Sequence, residues 1–193
     1  MADLADALPP RARDWLVAVP LEDRAAFLAA FSGAARAVGK SDVTVPNRGT
    51  WGVDEVARAA LVLRAGAHVS VEELYARGDN RERQAVLKAL PLLPEPERFV
   101  TLAIEACRTN VLTIFCAIAC ENPYPAHYFP EKSWNQMVLK ATFNEVALAR
   151  IMNLSSRLNA ELARMANDYA AERRAAGRSV PHDLARITIG GAT

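Results

Sequence analysis

The chain has 193 residues, enough for one domain with a sizeable core. Its 23 Lys and Arg against 22 Asp and Glu leave a net charge of +1, which supplies no global field for nucleic acid or an anionic membrane surface. Hydrophobic residues make up 51% but aromatics only 7%; alanine dominates the apolar class, which excludes a disordered polymer and favours closely packed helices over sheet.

Three cysteines cannot complete a paired disulfide framework, which suits a reducing compartment. Residues 1–6 carry acids and no basic region before an apolar run, so no signal peptide is legible. The most apolar stretch, Val111 to Cys120, is far short of the about 20 residues that cross a membrane. A soluble, cytoplasmic protein is expected, reaching the inner membrane only through a partner.

In chain order, Pro9-Pro10 opens a helix to Val19, and Pro20 opens a second, Leu21 to Val38, stopped by Gly39. These form an N-terminal helical pair within residues 1–39. Residues 40–52 are the longest loop-like stretch, a hinge in which Val43-Thr44-Val45 is at most a short strand. The main helical body spans 53–178. It begins with a helix from Asp54 to Arg64, ended by Gly66. Ser70 and Glu73 form a capping box for a short helix closed by Gly78, and Asp79 and Glu82 open the next in the same way. Pro94 and Pro96 start a helix to about Arg108, and Asn110 is an N-cap for the apolar helix to Cys120. Residues 121–130, with Pro123, Pro125 and Pro130, are expected to be irregular. Pro130 begins a helix to about Phe143. The last long helix, Leu154 to Gly177, carries Leu154, Leu158, Leu162, Met165 and Tyr169 as a stripe, and residues 179–193 form a loosely held tail. The expected architecture is a single all-α domain of consecutive antiparallel helix pairs, α-solenoid-like in the manner of HEAT or TPR repeats, or an irregular helical bundle. No fixed repeat period survives a count.

Most enzyme signatures are absent: there is no glycine-rich phosphate loop, no G-x-S-x-G elbow, no His-Glu-x-x-His and no Cys-x-x-Cys. Cys116 and Cys120 share a helix face, with Glu121 and His127 downstream. A metal site normally adds a tight second pair of ligands, so these thiols read as core hydrophobes, and no metal or cofactor is expected. His68 and His182 lie near chain turns and read as solvated. Arg173, Arg174 and Arg178 read as the basic end of a helix, so no nucleic-acid partner is expected.

The informative segment is 110–144. Its proline-stiffened loop holds Asn122, Tyr124, His127 and Tyr128, side chains that such a loop can present without a large ordering cost on binding. In the next helix Trp134, Met137, Val138 and Ala141 share one face, Leu139 and Phe143 lie opposite, and Asn135 sits on the far flank. Gln136, Lys140 and Asn144 form a narrow polar ridge between them. A helix apolar on two sides is buried, so the ridge faces either a strip of solvent or an internal cleft.

Three runs in this region, Thr109-Asn110-Val111-Leu112, Glu121 to Pro125 with Tyr128-Phe129, and Trp134-Asn135-Gln136-Met137-Val138-Leu139-Lys140, resemble the EboA family. The likeness is strongest over about residues 75–176 and includes Leu158 to Ala163 and Asp168-Tyr169. It implies a part in bacterial secondary-metabolite traffic from cytoplasm towards periplasm, beside a membrane prenyltransferase-like protein and TIM-barrel partners. The family brings no assignment of catalytic residues. The expected function is therefore a non-catalytic helical protein that binds a small secondary-metabolite precursor or a pathway partner. Its site uses Asn110, Asn122, Tyr124, His127, Tyr128, Trp134, Asn135, Gln136 and Lys140, with flat rings for apolar contact and amides and lysine for orientation. Two alternatives stand beside it: an all-α enzyme using His127 or Lys140, and a pure protein–protein scaffold.

Overall fold

Capped, alanine-rich segments become helix almost throughout. The computed structural model describes residues 2–188 and divides into two compact units, 1–118 and 119–193. The described residues form twelve α-helices and one two-stranded sheet, so the protein is all-α apart from a hairpin.

The first unit contains α1 (Ala2–Asp6), α2 (Pro10–Ala18), α3 (Arg24–Val38), β1 (Asp42–Val45), β2 (Gly49–Gly52), α4 (Val53–Ala65), α5 (Val71–Arg77), α6 (Asn80–Ala89), α7 (Val100–Cys107) and α8 (Leu112–Ala119), whose last residue belongs to the second unit. Helix α4 is its axis. Helices α1, α2, α3 and α6 pack on it, and apart from half-buried Leu63 and Arg64 every α4 residue is buried. Its small residues Ala57, Ala59 and Ala60 let the neighbours approach, while Phe27 and Phe31 of α3 and Val86 and Leu87 of α6 fill the space around it.

Several boundaries differ from the sequence reading, each for a local reason. Helix α3 starts at Arg24, not beside Pro20, because the Asp23 carboxylate accepts from the Ala25 and Ala26 amides. The 40–52 stretch closes into an antiparallel hairpin in which Val43 pairs with Trp51 and Val45 with Gly49. Asn47 and Gly49 take positive φ to make the turn, and Trp51 donates its indole N–H to the Arg48 carbonyl at 3.0 Å. Asp79 and Glu82 form the full reciprocal box. At Ser70 only half the expected box exists: its hydroxyl accepts from the Glu73 amide, while the Glu73 carboxylate turns to Arg24. Pro96–Phe99 is a 3-10 turn before α7. Asn110 is not the cap of α8. That helix begins at Leu112, with the Val111 carbonyl accepting from the Ile114 and Phe115 amides and Thr109 Oγ1 accepting from the Val111 amide.

The second unit contains α9 (Tyr124–Tyr128), α10 (Glu131–Phe143), α11 (Ala160–Ala175) and α12 (Ala185–Thr188), with α10 and α12 both packed on α11. The proline-rich 121–130 segment is helical at its centre. Pro125 falls in the first turn of α9, where a missing backbone N–H costs nothing. Helix α11 begins six residues later than its stripe implies, because Asn159 adopts an extended backbone and accepts from the Leu162 amide as N-cap. Its buried face is Leu162, Ala163, Ala166 and Ala170. Of the tail, 182–184 is a 3-10 turn leading into α12, with Leu184 and Ile187 buried; residues 189–193, including Gly190 and Gly191, lie outside the described residues.

Candidate functional site

Asn110 stands exposed in the first unit, just ahead of α8. The other eight marked residues belong to the second unit, around the corner between α9 and α10. Asn122 is buried and its Oδ1 accepts from the Tyr124 amide at 3.0 Å, an Asx turn that launches α9. The Tyr124 ring is wholly buried, tilted against Tyr128 at 4.8 Å and edge-on to Phe129 at 6.4 Å. His127 projects from α9 into solvent with its ring 6.1 Å from that of Tyr128. On α10, Trp134 and Asn135 are buried, as are Met137, Val138, Leu139 and Ala141. The polar ridge runs along solvent: Gln136 and Asn144 are exposed and Lys140 is half-buried. Beside it Phe143 is 52% exposed and leans on Tyr169, ring to ring at 4.5 Å.

Two side chains that sequence reasoning did not single out fix this corner. Arg157 donates through Nη1 to the Pro125 and Ala126 carbonyls, at 3.0 and 3.1 Å, and through Nη2 to the Phe129 carbonyl at 2.9 Å. It thereby satisfies the open C-terminal end of α9 with a positive charge, as a helix terminus favours. Its guanidinium also lies 4.8 Å from the centre of the Trp134 ring, whose buried indole N–H makes no hydrogen bond among the described residues. Asn159 exchanges two amide hydrogen bonds with buried Asn135, at 2.9 and 3.1 Å, while capping α11. Glu121 adds a bidentate pair with Arg150, at 2.8 and 2.9 Å, and donates its amide to the Arg150 carbonyl. No spacing in the sequence announces these contacts, which join residues 24 to 32 positions apart. Buried Asn122, Tyr124, Trp134 and Asn135 thus build the corner, while His127 and Gln136 are exposed and Tyr128 and Lys140 half-buried.

The first unit holds a second polar concentration, also without a sign in the sequence. Asp54, wholly buried on α4, receives Arg58 at 2.6 Å and both Nε, at 2.9 Å, and Nη2 of Arg81. Arg58 spends its remaining donors on the Phe31 and Ser32 carbonyls of α3. Burial pushes the Asp54 carboxyl up, but the hydrogen bonds from Arg81 and Arg58 and their charges outweigh burial and hold it below the usual carboxylate range. Next to it Glu55 accepts from the Gly52 amide at 2.8 Å and from Lys88 at 2.7 Å, and Lys88 lies over the Trp51 ring. Each of these charges has a partner, so the cluster ties α3, α4, α6 and the hairpin together.

Among the described residues no three His, Cys, Asp or Glu side chains are grouped to hold a metal ion, and no helix is long and apolar enough to cross a membrane. Cys107 and Cys120 are buried and Cys116 is half-buried. No curated protein and no solved structure matches the chain. A family model described as metabolite traffic protein EboA matches residues 18–189 of the 193, a span that takes in the hairpin, the α4 charge cluster and the whole α9–α10 corner; the chain belongs to the EboA family.

Proposed function

We propose that the protein serves metabolite traffic by binding rather than by turnover, and that the α9–α10 corner is its recognition face for a small secondary-metabolite precursor or a pathway partner. One observation carries this reading. Within a single short stretch the chain carries an imidazole (His127), a phenol (Tyr128), an amide (Gln136) and an amine (Lys140), none of them fully buried, on elements held by Arg157 at the α9 carbonyls and by Asn159 at the Asn135 side chain. A preorganised polar-aromatic surface loses little entropy on engagement. Such a mixture orients a ligand through hydrogen bonds while the ring supplies contact area.

The test is genetic and chemical. His127→Ala, Gln136→Ala and Lys140→Met are re-supplied to a strain from which the chain has been deleted, and exported metabolites are followed by mass spectrometry. The expected result is loss of export with folding stability within about 1 kcal/mol of the parent, because all three side chains reach solvent. Full export by all three stable variants would overturn this face as the recognition site and favour a scaffold. Chemical conversion of the metabolite by the purified protein, lost in the His127 or Lys140 variant, would replace binding with catalysis.

A further inference from the structure

The first unit contains a cleft of about 80 Å³ between α3 and α5, with the start of α6 beside it. Its apolar lining is Leu28 and Phe31 of α3, Val69, and Leu74 of α5; of these only Leu28 is exposed. The charged side chains that line it are Arg24, Glu73, Arg77 and Glu82. Three of them hold one another, since Glu73 takes Arg24 at 2.7 Å and Arg77 at 3.3 Å. The Arg24 hydrogen bond keeps the Glu73 carboxyl below the usual carboxylate range, so the triad stays charged. Glu82 is placed differently. It is 8% exposed, and its Oε2 accepts from the Asp79 amide at 2.9 Å. Oε1 has no hydrogen-bond partner among the described residues, yet it is not sealed from solvent. Gly78 also lines the cleft, and a Cβ built there would lie 3.3 Å from Glu82 Oε2, which sets the carboxylate at the cleft wall.

A buried carboxylate with one open oxygen beside apolar walls calls for a donor that brings both a positive charge and methylene groups. A cation there compensates Glu82, whereas an anion would add a second uncompensated charge. Arg24 and Arg77 oppose a cation, but Glu73 offsets one of them. Their side chains are 54% and 80% exposed, so water screens both. Volume sets the size of the group. At about 30 Å³ for a molecule of water, the cleft takes an ammonium and about two methylenes, and the rest of the chain passes exposed Leu28. We infer that this cleft binds the end of an aliphatic primary ammonium, its N–H donated to Glu82 Oε1 and its methylenes laid against Phe31, Val69 and Leu74. A free alkylamine and a lysine side chain both supply this chemistry. The site belongs to the first unit and does not depend on the role proposed for the α9–α10 corner.

The test is a nuclear magnetic resonance titration of the full chain, at constant ionic strength, with n-butylammonium, n-butanol, butyrate and Nα-acetyl-lysine methylamide. Butylammonium should shift the amide signals of residues 69–78 and 82 saturably. Butanol and butyrate should each bind at least about tenfold more weakly, for want of a positive charge. Tighter binding of the lysine derivative than of butylammonium supports a partner's lysine as the source, and the reverse order supports a free amine. Glu82→Gln keeps an acceptor for the Asp79 amide, as a capping box allows. It should unfold within about 3 °C of the parent, yet bind butylammonium at least about tenfold more weakly. Two further variants leave Glu82 and its capping role in place. Arg77→Gln should tighten butylammonium about threefold by removing a like charge from the mouth, and Leu28→Ala should weaken it by uncovering the chain. The inference is overturned if millimolar butylammonium leaves these signals unmoved, if butanol or butyrate binds as tightly, if Glu82→Gln binds it like the parent, or if Arg77→Gln and Leu28→Ala both leave its affinity unchanged.

Discussion

Substituting Asp54 by asparagine keeps the shape of the α4 charge cluster and removes its only anion shared by two arginines. Arg58 is 2% exposed and loses a carboxylate at 2.6 Å, with no route to water. Arg81, with a side chain 37% exposed, can turn outward. Leaving one buried charge uncompensated costs about 3–5 kcal/mol. The lower end applies, because Arg58 retains the Phe31 and Ser32 carbonyls as acceptors. At roughly 2–4 °C per kcal/mol for a chain of this size, the melting temperature should fall by roughly 6–12 °C. Arg81→Met leaves the Asp54–Arg58 pair intact and should cost only about 1–2 kcal/mol. The order of the two variants separates a buried pair from a surface one. The dependence on pH gives a second check. A carboxyl whose folded-state pKa is depressed stabilises the fold above its unfolded value, about 3.9, and that stability is lost as the pH falls through the lower folded value. The gap between parent and Asp54→Asn should therefore be full at neutral pH and narrow progressively below about pH 4. Thermal unfolding followed by circular dichroism at stepped pH measures both effects. A melting shift under about 2 °C, or a gap that does not change in acid, would refute the reasoning.

Asn159→Ala removes the α11 cap and strands the buried Asn135 amide, so a loss of about 2–4 kcal/mol is expected in urea unfolding, partly restored by Asn135→Leu in the same chain. Arg157→Ala should cost about 2–3 kcal/mol, with a change in Trp134 fluorescence, as three carbonyls and a ring face lose their cation. Gly52→Ala brings a Cβ to 2.7 Å from both Arg81 Nη2 and Asp54 Oδ1, and thermal unfolding should show a loss of about 1–3 kcal/mol.

Local chemistry that acts over a few residues was readable. The Asp79–Glu82 box, the Ser70 hydroxyl, the Gly39 stop and the buried Trp134, Met137, Val138 and Ala141 face of α10 follow from spacing alone, whereas of the opposite pair Leu139 is buried and Phe143 is exposed. What misled was either a rule applied past its range or a contact with no local trace. Prolines at 123 and 125 look like breakers, yet a proline in a first turn is harmless, and a helix formed there. The return strand Gly49-Thr50-Trp51-Gly52 hides because glycines at both ends depress its strand character. Asp54 and Arg58, four apart on a helix, have the spacing of an ordinary surface pair; only Arg81, 27 positions later, and the α3 carbonyls make them interior. The α9–α10 corner was legible as a concentration of amides and rings, but Arg157 and Asn159, which hold it, were not.

The burial of α4 on nearly every side constrains how the first unit can come apart. A helix with one wet face can lose a neighbour and survive; this one has no face to spare. Amide protons of α4 should exchange with solvent only when the whole unit opens, setting the ceiling of local protection, whereas α5, with its exposed acids, can fray on its own. The N-terminal helices α1 to α3 are thus part of the same cooperative block as the α4 charge cluster. Proteolytic removal of residues before the hairpin would take the Phe31 and Ser32 carbonyls from buried Arg58 while leaving Asp54 with Arg58 and Arg81, and amide protection along the whole of α4 should fall together.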